Sequence, residues 1–206
     1  MNEVGAHPKE QGAYGSGFAD PVLDAQFTFR RIMAAMSEPG TIVTLQSVDG
    51  SPRPLSVALV TLALTLCDYE TPVWLDPMMR AAPGVAEFLR FHTGAKVIER
   101  PGEAVFAFGG GAGELPDLNE FAIGTLEYPD RSTTVVIEVT RLANEAGWRL
   151  TGPGIASEAQ LAAAPLPDSF ANQLRANHAL FPRGVDIVLC SGRRLAALPR
   201  STWVER

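Results

Sequence analysis

Apolar residues recur along this chain at two different spacings, and the switching between them predicts its elements. Phe29, Ile32, Met33 and Met36 fall at i, i+3, i+4 and i+7, the spacing of one helical face. Asp20 precedes them as an N-cap, Pro21 takes the first helical position, and Pro39-Gly40 stops the run. Leu55 to Leu66 is apolar on nearly every side and predicts a buried helix. Gly84 to Phe91 predicts a helix with Val85, Phe88 and Leu89 inward, and Asp168 to Ala179 a late helix. Strands are expected at Thr41 to Leu45, Pro72 to Leu75, Ala104 to Phe108 and Thr133 to Val139. Asn144 to Gly147 reads as a turn into Trp148 to Thr151, one hairpin. Val185 to Cys190 and Leu195 to Pro199 make a second across Ser191-Gly192. Helices and strands alternate early and hairpins come late, which is the pattern of an α/β domain with a mixed β-sheet covered by helices. Residues 1–17 are polar and glycine-rich and are expected to be a disordered N-terminal tail, leaving 18–206 as a single domain.

Composition narrows the class. At 206 residues with 46% hydrophobic and 19% charged positions, the chain supports a sizeable core. A net charge of −6 gives no general attraction to nucleic acid or to an anionic membrane. Positive charge is carried by fifteen arginines and only two lysines, Lys9 and Lys96. Guanidinium suits phosphate and carboxylate recognition, whereas a Schiff-base or phosphate-loop lysine has almost no candidates. No signal peptide and no apolar run of about 20 residues is seen, so a cytoplasmic protein is expected. Cys67 and Cys190 each follow an apolar run and read as reduced core thiols.

Gly109-Gly110-Gly111-Ala112-Gly113 has neither a following Lys-Ser or Lys-Thr nor the acidic position of a dinucleotide fingerprint, and reads as a flexible connection. Arg30 and Arg31 are neighbours on the first helix; one faces solvent, and the other is open to an anion-binding or an interface role. Arg90 and His92 close a helix before Gly94, where the dipole favours cations and glycine favours a cap. The loop Glu127 to Thr134 brings together Tyr128, Asp130, Arg131 and Ser132, either as turn chemistry or as part of a site. Thr151-Gly152-Pro153-Gly154-Ile155 is a tight turn able to bring backbone close to a ligand or a partner. Asp186 opens an apolar strand and is expected to pair with an arginine. The histidines His7, His92 and His178 lack metal spacing, so no zinc site is expected, and no Gly-x-Ser-x-Gly elbow occurs.

Taken in order, Pro21 to Gln26 with Asp24, then Phe29-Arg30-Arg31, then Ala35 to Gly40, resemble the PhnH family of the bacterial carbon–phosphorus lyase system. Thr71 to Leu75, Arg90 to Thr93, Leu150 to Ile155, Phe181-Pro182 with Gly184 and Asp186, and Pro199 to Thr202 extend the resemblance to the C-terminus. Ala104 to Glu127 and the N-terminal tail match poorly. The resemblance implies a fold like the core of type I pyridoxal-phosphate transferases, but without that cofactor. It also implies a homodimer that joins sister subunits in a larger core complex. That complex makes ribose 1-phosphonate 5-triphosphate from ATP and an alkylphosphonate, displacing adenine. This chain would be a needed subunit, inactive alone. Arg30, Arg31, Arg90, Arg131 and Arg200, with Asp24, His92, Tyr128, Asp130, Ser132 and Asp186, are its candidates for a shared phosphonate or nucleotide site or for subunit contacts; no catalytic residue is assigned. A purely structural subunit, or a free-standing transferase or hydrolase of small phosphorylated molecules, are the rival readings.

Overall fold

The computed structural model describes residues 17–46, 48, 50–111 and 115–205. Of the expected tail only Gly17 lies among them, and Ala112-Gly113 of the glycine run lies outside.

Helix α1 (Pro21–Ser37) starts where the sequence places it: the Asp20 carboxylate accepts the N–H groups of Val22 and Leu23, each at 3.1 Å. Its inner face is only half the one expected: Ile32 and Met36 do pack on the core, but Phe29 and Met33 do not. Thr28, Ile32 and Ala35 are buried, whereas Phe29 and Met33 are 48% and 42% exposed. The helix packs on α2 (Val57–Leu66), and the small Thr28 and Ala35 allow that approach while the bulkier side chains turn outward. Helix α2 is buried continuously from Ala58 to Ala63, as an all-apolar helix must be.

The remaining elements follow in chain order. Strand β1 (Val43–Thr44) precedes α2, and β2 (Val73–Leu75) follows it. Helix α3 (Pro77–Ala81), which the apolar spacing does not predict, opens on Asp76-Pro77. Helix α4 (Val85–Thr93) buries Val85, Phe88 and Leu89 as expected and ends on Gly94 at φ +74. Then come β3 (Val97–Ile98), β4 (Phe106–Gly110), β5 (Thr134–Glu138), β6 (Arg141–Thr151), β7 (Ala159–Ala164), α5 (Phe170–His178), β8 (Asp186–Ser191), β9 (Arg194–Leu198) and β10 (Trp203–Glu205). Gly109 and Gly110 are therefore buried strand residues and not a flexible connection; only Gly111 begins the turn. Asn144 to Gly147 is not a hairpin turn either. It is an irregularity inside β6, where the register with β7 shifts between Ala143 and Trp148.

Seven strands form a mixed sheet in the order β1-β9-β8-β5-β4-β2-β3. Strands β3, β2, β4, β5 and β8 run parallel; β9 is antiparallel to β8, and β1 to β9. A second, antiparallel sheet has the order β10-β6-β7. Alternate residues of the large sheet enter two cores. Leu75, Phe108, Val136 and Val188 face α1, α2 and α4, whereas Trp74, Ala107, Val135 and Ile187 face α5 and the small sheet. The chain is thus layered as helices, sheet, then helix and sheet. Among the described residues no helix is long and apolar enough to cross a membrane.

From β2 the chain passes to β3 on one side and then to β4 on the other. The C-terminal ends of β2 and β4 thus frame the crevice where open α/β sheets usually bind ligands.

Candidate functional site

That crevice is closed by the protein's own side chains. Asp76 leaves the end of β2 fully buried; one carboxylate oxygen accepts the Met79 N–H at 2.6 Å and the other the Gly110 N–H at 2.7 Å. The Leu115 side chain presses on Gly109 so closely that a Cβ there would meet it at 2.9 Å. One strand along, Glu138 at the end of β5 accepts the Ser56 N–H at 2.6 Å, at the N-terminus of α2. A helix N-terminus is where a phosphate group would be welcome, and here an internal carboxylate holds it. Burial pushes Glu138 up from 4.5 to about 7, opposed by its bond from Ser56. Burial, with Glu138 beside it, pushes its register partner Cys190 well above the usual thiol range, and Cys67 is raised to about 12, chiefly by burial; both are free, buried thiols that favour the protonated form.

The opposite end of the parallel strands, where β5 and β8 begin, is open, and there the separate sequence motifs meet. An open groove of about 430 Å³ is lined by Met36 from the end of α1, Pro129 and Asp130, Phe181, Asp186 at the start of β8, and Arg200. The turn after β6 closes on it through two glycines. A Cβ on Gly154, at φ +83, would lie 1.9 Å from the Ser37 carbonyl, and one on Gly152 would lie 2.8 Å from that of Ser201. Arg200 ties the floor together. Its Nε donates to Asp186 Oδ1 at 3.1 Å, and Nη2 to Oδ2, as an ion pair whose side chains are 13% and 16% exposed. Nη1 reaches the Pro129 carbonyl and Nη2 also reaches the Ser132 hydroxyl, while the Arg200 backbone N–H caps the same carboxylate at 2.9 Å. Four of the five guanidinium N–H donors are committed to the protein. Arg200 and Asp186 therefore act as a clasp on three loops, and the expected pairing of Asp186 with an arginine is present.

The structure brings Tyr128, Asp130, Arg131, Ser132, Asp186 and Arg200 to one corner. Arg131 lies over the Tyr128 ring, 4.1 Å from its centroid, and both are exposed at the rim with Asp130. The other candidates lie elsewhere. Asp24 accepts the Asp20 N–H at 3.0 Å and belongs to the α1 cap. Arg30 is exposed and Arg31 half-buried on α1; neither has an acid partner among the described residues. Arg90 lines a separate hollow of about 260 Å³ with Glu87 and Lys96. His92 packs on Phe88, with ring centroids 4.4 Å apart, and its Nε2 is buried without a hydrogen-bond partner. A further hollow of about 290 Å³, between α5 and residues 117–123, has polar groups that satisfy one another: Gln173 bridges Asp117 and the Leu118 N–H. Among the described residues no cluster of three or more His, Cys, Asp or Glu could hold a metal ion.

Asp76 and Glu138 are the structurally important acids that motif reading passes over. Asp76-Pro77 repeats the Asp20-Pro21 helix-start signature, so its capping role carried a signal; the contact to Gly110 did not. Glu138 carried none, since its partner Ser56 is distant in sequence.

The model of the family described as bacterial phosphonate metabolism protein (PhnH) matches residues 16–205. A Rhizobium meliloti protein named alpha-D-ribose 1-methylphosphonate 5-triphosphate synthase subunit PhnH is 44% identical over 195 residues, covering 94% of this chain and 96% of the relative. A Stutzerimonas stutzeri protein named putative C-P lyase subunit protein HtxG is 33% identical over 188 residues, covering 87% of this chain and 85% of the relative. The matched span takes in α1, the 150–155 turn and the Asp186–Arg200 clasp, and the chain belongs to the PhnH family of bacterial phosphonate metabolism proteins.

Proposed function

We propose that this protein is a subunit of the complex that makes ribose 1-phosphonate 5-triphosphate from ATP and an alkylphosphonate, and that it supplies assembly surface and not a complete active site. One observation carries the second part: the switch-point crevice and the open groove where the motifs meet are both served internally. The β2/β4 crevice holds the Asp76 carboxylate, and the arginine on the floor of the open groove is bound to Asp186, Ser132 and Pro129. The names of the Rhizobium and Stutzerimonas relatives, each called a subunit, support the first part.

The same reading takes residues 18–206 as one cytoplasmic domain that pairs as a homodimer and joins sister subunits. Its fold descends from the core of type I pyridoxal-phosphate transferases without retaining the cofactor. Lys96 is the one lysine among the described residues, and it is exposed, which suits that view of the cofactor. Any phosphonate or nucleotide contact from Arg31 or Arg131 would be made at a site shared with another subunit.

Incubating the purified chain with ATP and methylphosphonate tests the proposal: adenine release is expected only when the other subunits are added. Turnover by the chain alone would defeat the subunit reading in favour of a free-standing transferase. Arg31→Ala and Arg131→Ala separate the remaining two. Loss of adenine release from an intact complex indicates ligand contact, whereas dissociation of the complex indicates a structural role.

A further inference from the structure

Helix α1 carries apolar side chains on the side turned away from the protein. Val22, Gln26, Phe29 and Met33 form one row at i, i+4, i+7 and i+11, and Leu23, Phe27 and Arg30 an adjoining row at i, i+4 and i+7. Val22 and Leu23 are 76% and 62% exposed, and Phe27, Phe29 and Met33 are all more than two-fifths exposed. Five large apolar residues thus stand in water on one helix about 25 Å long. Scattered exposed apolar residues need no explanation, but a contiguous set of this size marks a contact surface.

Two cations sit in the same surface without acids. Arg30 is exposed; Arg31 is half-buried, and its Nε is shielded from water with no hydrogen-bond acceptor among the described residues. A partly desolvated guanidinium without a carboxylate carries a cost that an incoming acid would remove. The acids at the N-terminal end of α1 already accept its own amides. Asp20 holds the Val22 and Leu23 N–H groups, and Asp24 holds the Asp20 N–H. A second copy of this helix would bring two more arginines to the seam, with its acids confined to the helix ends: Asp20 and Asp24 in the N-terminal cap and Glu38 past the last turn.

We infer that the outer face of α1 is the docking surface for a different protein subunit, one that presents apolar side chains to Leu23, Phe27, Phe29 and Met33 and at least one carboxylate to Arg30 and Arg31. This rests on the subunit reading above. It moves the principal contact away from the groove and onto a helix whose buried side already serves the core. It also gives physical meaning to the Phe-Arg-Arg run: phenyl and guanidinium on one outward surface, the composition favoured in the centre of subunit contacts.

The test is assembly with the other subunits of the same synthase, followed by native mass spectrometry and a binding titration at two salt concentrations. Phe29→Glu, Met33→Glu and Arg31→Glu, each checked by circular dichroism, are expected to weaken association at least tenfold without unfolding the chain. Loss with Arg31→Glu should be recovered by an acid-to-arginine change in the partner. If the wild-type chain joins no subunit, the subunit reading itself falls. If it joins and all three variants join equally well, the surface is elsewhere. If the variants instead split a homo-oligomer and leave the mixed complex intact, a second copy covers α1 and the inference is overturned.

Discussion

Trp74 and Phe29 are both aromatic residues in apolar runs, yet the fold treats them oppositely. Trp74 is buried, with its ring edge-on to Phe121 at 5.7 Å; Phe29 stands half in water. Trp74→Ala should therefore cost about 3–5 kcal/mol in urea denaturation, and Phe29→Ala well under about 1 kcal/mol in the isolated chain. Equal losses would mean that the α1 outer face is covered in the free protein. Glu138 gives the second residue-level prediction. Its carboxyl is raised from 4.5 to about 7, so the native state holds a proton that the unfolded chain releases. The resulting stability is complete below pH 4.5 and declines as pH rises through 7. Glu138→Gln keeps an oxygen for the Ser56 N–H and removes the buried charge. Thermal melts should show it more stable than wild type at pH 8, by about 1–3 kcal/mol, and nearly equal to it at pH 4.5. A constant difference across that range would put the charge in water.

At the scale of elements, the Asp186–Arg200 pair joins the start of β8 to the turn after β9 and to the 129–132 loop. Asp186→Ala should cost about 3 kcal/mol or more, because it strands a mostly buried guanidinium. The double change Asp186→Leu with Arg200→Met should lose less than Asp186→Ala alone, a comparison read from paired urea titrations. The clasp was legible in sequence as far as an acid opening an apolar strand, since such an acid needs a cation. Which arginine would answer was not legible, because the pairing spans 14 residues and two turns. Spacing does not decide the α1 face, because the helix is apolar on both sides. Spacing alone favoured Phe29 and Met33, and the choice of Thr28 and Ala35 belongs to the packing of α2. Strand β7 carries no local signal for a related reason. Ala-Gln-Leu-Ala-Ala-Ala has helical preference, and its extended state is imposed by pairing with β6 and by the Asn144 amide on the Gln160 carbonyl. Elements with local signals, such as α2, α4 and the β8–β9 hairpin, lie where their sequences place them.

For the whole molecule, the large sheet belongs to both cores, so neither face can lose its packing without exposing the other. Far-ultraviolet circular dichroism and tryptophan fluorescence should report one coincident urea transition. An early fluorescence change would show the small sheet, which carries Trp148 and Trp203, opening separately. The location of the candidate groove was beyond sequence reading. Its lining comes from five segments between Met36 and Ser201, and only the fold brings them together.

The buried carboxyl between β2 and β4 has a consequence for engineering. Removing it with Asp76→Gly leaves the Met79 and Gly110 amides aimed at a void of carboxylate size. Formate or acetate supplied in the buffer should enter that void and return part of the lost melting temperature, with chloride unable to do so. Chemical complementation of this kind would turn a sealed crevice into a small-acid receptor whose occupancy is read directly as heat resistance.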